Sequence, residues 1–235
     1  MRTLIHIFTD RLNIRTAAAV LLGNIILGIG VALLKLSTMG NDPYTAFTLT
    51  MSSGLHMGLG NFQLMLNLGL FIILLIFGRK YLGFGMIVNM CLLGYIVQFS
   101  HYCLENVFGS LEGSPFILRL FVMLLALVIA SFGLAMYQTA DLGVDPYDFL
   151  ALGMTDALPT PYFVNRVLTD GTCVVLILIA AATGFVPWSE CNLGIGTVLC
   201  AFGLGPVINI FMPWNRKWIL QEKRFRAKSG SDCGC

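Results

Sequence analysis

The stretches GNDPYTAFTLTMSSGL at residues 40–55 and GVDPYDFLALGMTDAL at residues 143–158 decide the fold of this chain. Both begin with Gly-x-Asp-Pro-Tyr, and a shift of 103 residues aligns one with the other. Apolar residues match by chance in any membrane protein, but a repeated motif of this kind at equivalent places does not. The sequence therefore predicts two copies of one structural unit.

Apolar stretches long enough to cross a bilayer surround these motifs. Only 11% of the 235 residues are charged, against about 25% in soluble domains, so a water-soluble globule is excluded. A helix needs about 20 residues to cross the hydrocarbon core. Six stretches approach that length: Ala17–Leu36, Phe62–Phe77, Leu82–Gln98, Phe116–Tyr137, Phe163–Ala182 and Leu193–Met212.

The motif segments themselves, Pro43–Leu55 and Pro146–Leu158, are too short to cross, which predicts re-entrant or interfacial half-helices. Each copy of the unit then holds three spans, and an odd number makes the second copy enter from the opposite face. The predicted fold is an all-α polytopic membrane protein with six transmembrane helices, arranged as two inverted three-helix repeats. Residues 16–105 form the first repeat and residues 116–213 form the second.

The two ends of the chain lie outside the repeats. Residues 1–15 alternate apolar and charged side chains at helical spacing, which predicts an amphipathic cytoplasmic segment on the membrane surface. Residues 214–235 are predicted to be a basic cytoplasmic tail. Lys and Arg concentrate at both ends and at Arg79 and Lys80, so both termini are expected in the cytoplasm. An eight-span alternative would place Arg79 and Lys80 outside, and six spans are therefore favoured.

Further motifs carry a resemblance to a known family. Gly-x-Asp-Pro-Tyr is followed by a short apolar stretch, then by Gly-Leu-Gly-Asn-Phe-Gln at residues 58–63 and a later Gly-x-Gly span. With these motifs in this order, the chain resembles the YczE/YyaS/YitT-like bacterial integral membrane proteins. It departs from their pattern at Met86, where the second copy has Thr197, and in having Tyr rather than Trp after each proline. The resemblance implies the cytoplasmic membrane of a bacterium and no established biochemical activity.

Polar residues within the predicted spans are the candidate substrate-binding residues, because an ionisable group inside a membrane is costly. Arg166 and Asp170 are four residues apart and share one helix face. Their equivalents in the first copy, Gln63 and Asn67, have the same spacing. One interpretation is a central polar path between the repeats. The other is a local Arg166–Asp170 pair, with Arg166 extending to the interface.

The two motif aspartates, Asp42 and Asp145, have two compatible interpretations. Asp is a preferred helix N-cap and Pro suits the next position, so both residues are expected to cap the short helices. They could also offer carboxylates to a cation or proton in a substrate path. Tyr44 and Tyr147 are expected to be anchors at the membrane interface.

The sequence favours two functional classes. The repeats, short helices and Arg–Asp pair favour a secondary transporter or channel-like protein for an unidentified small solute or ion. The alternative is an accessory membrane protein that binds and regulates or assembles partner proteins. No motif indicates an enzyme, a cofactor, a metal or a nucleic-acid partner. The expected partners are the lipid bilayer and the solute, and a homodimer is compatible with the sequence.

Overall fold

A computed structural model describes residues 13–160 and 162–219. Within those residues the secondary structure is entirely helical, which confirms the all-α fold class. Most of the predicted amphipathic segment 1–15 and basic tail 214–235 lies outside the described residues. Eight α-helices are described: α1 Ile14–Leu36, α2 Pro43–Gly54, α3 Leu59–Phe77, α4 Phe84–Phe108, α5 Phe116–Thr139, α6 Pro146–Ala157, α7 Tyr162–Ala182 and α8 Ile195–Ile219.

Six of these helices are long and apolar enough to cross a membrane, namely α1, α3, α4, α5, α7 and α8. The six predicted spans are thus confirmed, and the chain is a multi-pass membrane protein set in a lipid bilayer. Two spans extend well beyond their predicted C-terminal ends. Helix α4 continues ten residues beyond Gln98, and α8 continues beyond Met212 to Ile219 with Pro206 and Pro213 inside it. Polar residues lower the hydropathy in the C-terminal parts of these two helices, but the backbone there continues to make helical hydrogen bonds.

The two short helices begin as their sequences predict. Asp42 accepts a hydrogen bond from the backbone N–H of Thr45, and Asp145 accepts one from that of Tyr147, each at 3.0 Å. Proline follows each aspartate at the first helical position. Both aspartates therefore cap a helix, and the capping prediction is confirmed.

The loops before the short helices have the same backbone conformation. Thr38 and Gly40 have φ angles of 53° and 109°, and Asp141 and Gly143 have 50° and 107°. Thr38 and Asp141 lie in the left-handed region that residues with a Cβ rarely adopt. The shift of 103 residues that aligns the motifs also aligns Thr38 with Asp141 and Gly40 with Gly143. The correspondence between the two motif loops therefore extends to these backbone angles.

The centre of the fold is the crossing of α1 and α5, which pack closely along their glycines. A side chain at Gly30 would place its Cβ 2.5 Å from the backbone nitrogen of Ala130, and one at Gly133 would place its Cβ 2.4 Å from that of Leu27. Later residues of α1 meet earlier residues of α5, so the two helices are antiparallel. Helix α4 packs on α1, and α8 packs on α5.

Reciprocal hydrogen bonds join the two halves of the chain. The N–H of Gly85 donates to the carbonyl of Leu142, and the N–H of Gly196 donates to the carbonyl of Met39, both at 2.7 Å. Each loop before a short helix is thus held by the start of a long helix from the other half. These paired contacts agree with the predicted repeat, and its inversion across the bilayer stays a prediction.

The far ends of the short helices are held in an equally reciprocal way. Near the end of α6, Asp156 pairs with Lys80 at 2.8 Å and accepts from the Tyr81 hydroxyl at 2.9 Å. Those hydrogen bonds lower the pKa of the Asp156 carboxyl below its usual value. Near the end of α2, Ser53 donates to Glu190 in the connection before α8. Both short helices are therefore fixed at both ends by residues of the opposite half.

Candidate functional site

The first turns of α2 and α6 meet at a pair of stacked tyrosines. The ring centroids of Tyr44 and Tyr147 are 4.2 Å apart and their planes differ by 19°. The two residues are only 9% and 4% exposed. The expectation that they anchor the protein at the membrane interface is therefore wrong, because they are buried where the two short helices meet.

Both tyrosine hydroxyls donate to a polar side chain near the midpoint of a membrane-spanning helix. Tyr44 donates to Oδ1 of Asn67 in α3, and Tyr147 donates to Oδ1 of Asp170 in α7, each at 2.6 Å. The two bonds are equivalent under the shift of 103 residues. The Cys173 thiol lies 3.6 Å from the Tyr147 hydroxyl on the same face of α7. We refer to Tyr44, Tyr147, Asn67 and Asp170 as the tyrosine core.

Arg166 adds a cation beside the tyrosine core. Its guanidinium pairs with Asp148 of α6, and its Nε lies 3.5 Å from Oδ2 of Asp170. The same group lies over the Tyr147 ring, 5.0 Å from the centroid, in a geometry typical of a cation–π contact. The local Arg166–Asp170 pair is therefore present, and it is extended by Asp148 to a second helix.

The sequence reasoning did not select Asp148, although it immediately follows the motif tyrosine. The first copy has Thr45 at the equivalent position, so the repeat pattern did not mark position 148 as acidic. Asp148 could have been selected as a second acidic partner for Arg166, in addition to Asp170. A buried arginine between two carboxylates is better compensated than one beside a single carboxylate.

The motif aspartates have different surroundings. Asp145 is 9% exposed and accepts from the side-chain amide of Asn89 in α4 in addition to capping α6. Asp42 is more exposed, and the hydrogen bonds that it accepts among the described residues come from Thr45 of its own helix. Asp145 is thereby tied to the other half of the chain, whereas Asp42 is held only by its own helix.

Gln63 is placed away from the tyrosine core. It is buried, and its amide oxygen lies 2.7 Å from the position that a Cβ at Gly94 would occupy. The side chain thus packs between α3 and α4. Of the six predicted site residues, the structure brings Asn67, Asp170 and Arg166 into one network, places the two aspartates at the helix starts beside it, and leaves Gln63 outside it.

Two cavities lie at the opposite end of α1 from its N-terminus, with volumes of about 370 and 350 Å³. They share four lining residues: Lys35, His101, Ser189 and Asn192. Because these residues line both, the two cavities adjoin each other, and we call them together the cleft. None of the six predicted site residues lines either cavity, so the sequence reasoning did not identify the cleft.

Comparison with known proteins identifies the family but not an activity. The chain is 25% identical to the uncharacterised membrane protein YczE of Bacillus subtilis (strain 168) over 193 residues, covering 81% of this chain and 82% of that protein. It is 22% identical to the uncharacterised protein YyaS of the same organism, covering 86% of this chain and 95% of that protein. An uncharacterised protein of Haemophilus influenzae is 23% identical and covers 84% of each chain.

No solved structure matches the chain significantly. A family model does match, over residues 14–213, which are the described membrane helices except for the last turns of α8. The similarity to YczE and YyaS agrees with the resemblance found in the motifs. The chain belongs to the family of unknown function DUF6198.

Proposed function

We propose that this protein is a secondary transporter or channel-like membrane protein for a small solute or ion. The observation that carries the proposal is the tyrosine core, in which two hydroxyls bond Asn67 and Asp170 near the midpoints of α3 and α7. Polar and ionisable groups at such depth are costly and are typical of substrate or ion pathways. Short helices whose first turns converge at the centre are likewise typical of transporter sites.

The balance of charge around the tyrosine core supports the same proposal. The carboxyls of Asp42, Asp145, Asp148 and Asp170 lie in or beside it, with Arg166 as the counter-charge that the structure pairs with two of them. An excess of buried carboxylates is unfavourable unless protons or cations compensate it. A transport cycle that binds and releases a proton or cation there would use that excess.

Unequal packing in the two halves also supports transport. Helix α3 packs along α4, whereas among the described residues the equivalent helices α7 and α8 have at most marginal contact. A Cβ at Gly94 would meet Gln63 at 2.7 Å, but one at the equivalent Gly205 would meet nothing within 4 Å. Inverted-repeat transporters alternate between two states as one repeat moves against the other. One closed and one open helix pair is the asymmetry that such a cycle requires.

The alternative is an accessory membrane protein that binds and regulates or assembles partner proteins. The observation that favours it is that the two cavities are not lined by Asp170 or Arg166. A core that neither of these two cavities reaches suits a structural role as well as it suits an occluded transport state. We favour transport because a purely structural role gives no reason to retain ionised groups at that depth.

The proposed location is the bacterial cell membrane, with both termini in the cytoplasm. This orientation is supported by the basic residues at the chain ends and at Arg79 and Lys80, since Lys and Arg concentrate in cytoplasmic segments. The cleft then opens to the outside of the cell, at the end of α1 that carries Lys35.

The test is solute flux in proteoliposomes that contain the purified protein. Charge movement on solid-supported membranes is recorded during addition of amino acids, sugars, nucleosides, organic acids and inorganic cations. We expect at least one response in the wild type and in Asp156→Asn, which changes an exposed carboxyl. Asp170→Asn should remain folded and lose the response.

Two results would count against the proposal. An undiminished response in Asp170→Asn would remove that residue from the mechanism. Failure of Asp170→Asn to fold, with recovery when Arg166 is also replaced by Met, would identify the pair as a structural salt bridge and favour the accessory function.

A further inference from the structure

The cleft contains a lysine without a partner. Lys35 lies in the last turn of α1 and lines both cavities. Among the described residues it makes no hydrogen bond and no ion pair, although the Glu105 carboxylate is near enough to attract it electrostatically. The other nearby cation, Arg119, is engaged, because it donates to the carbonyls of Ser37 and Thr38. Lys35 is thus an available cation at the wall of the cleft.

A buried amide without partners lines the same space. Asn41 is 1% exposed, and neither its amide nitrogen nor its amide oxygen has a hydrogen-bond partner among the described residues. Leaving a buried polar group unpaired is unfavourable, so native proteins rarely do so without a reason such as a ligand. The backbone N–H of Asn41 donates to the carbonyl of Asn192 at 3.4 Å, which fixes this residue at the wall of the cleft.

Carboxylates line both cavities of the cleft together with Lys35. Glu105 lines the first cavity, with its Oε2 3.6 Å from Nε2 of His101. Glu190 lines the second cavity and accepts from Ser53. A plain anion would be attracted by Lys35 but repelled by these two glutamates and by Glu112, which also lines the first cavity. A plain cation would meet the opposite conflict. Only a solute that carries both charges is complementary to the whole cleft.

We propose that the cleft binds a small zwitterion, a solute with one carboxylate and one ammonium group, as in a free amino acid. The carboxylate pairs with Lys35 and accepts from the Asn41 amide, and the ammonium group faces Glu105. A volume of about 370 Å³ is in the usual range for small-molecule sites, which begins at about 300 Å³. This proposal rests on the proposed transport function, because it names the class of solute that would be carried.

The experiment is thermal unfolding of the full-length protein in detergent, with each of the twenty common amino acids as the probe. A ligand that binds only the folded state raises the melting temperature, and the rise grows with the logarithm of the ligand concentration divided by Kd. We expect at least one amino acid to stabilise the wild type at millimolar concentration. Its analogues lacking the amine or the carboxylate should each bind at least about tenfold more weakly, because each leaves one charge of the cleft unpaired.

Two variants test the residues. Lys35→Met should weaken binding at least about tenfold, while Lys217→Met, an exposed lysine at the other end of the molecule, should bind as the wild type does. Asn41→Leu removes the unpaired amide, so its melting temperature without ligand should be unchanged or higher, and its response to the amino acid should be lost. If Asn41 had only a structural role, its replacement would not abolish the response to the amino acid while leaving the melting temperature without ligand unchanged or higher.

Several outcomes would overturn the proposal. They are no stabilisation by any amino acid, equal stabilisation by the carboxylate-only analogue, or unchanged binding in Lys35→Met. Because this assay measures binding at the cleft, its failure is distinct from loss of flux in Asp170→Asn. Flux of a sugar or an inorganic cation without amino-acid binding would reject the zwitterion and keep the transport function.

Discussion

At the scale of single residues, the two tyrosine hydroxyls differ in what they bond. Tyr147 donates to a carboxylate, Asp170, whereas Tyr44 donates to an amide, Asn67. Hydrogen bonds to charged groups are stronger than those between neutral groups. The second half of the chain therefore depends more on its hydroxyl than the first half does.

This difference predicts unequal effects of removing the hydroxyls. Tyr147→Phe should lower the free energy of unfolding by about 1.5–3 kcal/mol, because it removes a hydrogen bond to a charged carboxylate. Tyr44→Phe should lower it by about 0.6 kcal/mol, the average for a hydrogen bond between membrane helices. SDS titration of the purified protein measures both. Tyr102→Phe, at an exposed site, is the control, and a larger loss in Tyr44→Phe would contradict the assignment.

Arg166 gives a second prediction at this scale. Arg166→Met should destabilise the fold by about 1.5–3 kcal/mol, because it leaves the partly buried carboxylates of Asp148 and Asp170 without their counter-charge. Adding Asp148→Asn should recover part of that loss. Arg79→Met, at an exposed position, should have little effect. Expression level and melting temperature report the result, and no recovery in the double variant would mean that Asp148 is not the significant partner.

The sequence predicted the polar residues of the core better than it predicted their contacts. Asn67, Arg166 and Asp170 were selected because polar groups are conspicuous in apolar spans. Tyr147 was assigned to the interface because amphipathic rings usually lie there, and hydropathy carries no information on which residues of another helix approach. The unpaired state of Asn41 was likewise inaccessible, because hydrogen-bond partners are determined by the assembled fold.

At the scale of helices, the crossing of α1 and α5 depends on contacts that only glycine permits. Gly133→Ala would place a Cβ 2.4 Å from the backbone nitrogen of Leu27, so the helices must separate. We expect a loss of about 1–3 kcal/mol, as for overpacked cores, measured as a lower melting temperature. Gly69→Ala and Gly171→Ala, where a Cβ meets nothing within 4 Å, are matched controls that should be neutral or slightly stabilised. Equal effects at all three sites would indicate that helix propensity dominates.

The existence of the helices was predictable, and their ends were less so. The six spans follow from the lengths of the apolar stretches. The starts of α2 and α6 follow from Asp-Pro, which specifies both the N-cap and the first helical residue. The end of α4 at Phe108 was not evident, because residues 99–108 include His101 and Glu105. Those side chains face the cleft rather than lipid, so they lower hydropathy without ending the helix.

At the scale of the whole molecule, the proposed orientation can be tested by labelling. In a variant without native cysteines, Ser110→Cys should react with a membrane-impermeant maleimide in intact cells, because the loop after α4 is expected outside. Lys80→Cys should react only after permeabilisation, since basic turns remain in the cytoplasm. Labelling of Lys80→Cys in intact cells would contradict the proposed orientation.

The bonds from Gly85 to Leu142 and from Gly196 to Met39 also bear on how the chain is made. When only α1 to α4 have been synthesised, the Gly85 N–H and the Met39 carbonyl are present. Their partners, Leu142 and Gly196, are not yet part of the chain. Unpaired backbone groups are not tolerated against hydrocarbon. The first half must therefore be retained by the insertion machinery or near water until residue 196 is synthesised. A chain truncated after Phe108 should consequently be removed by membrane proteases instead of accumulating as a stable half.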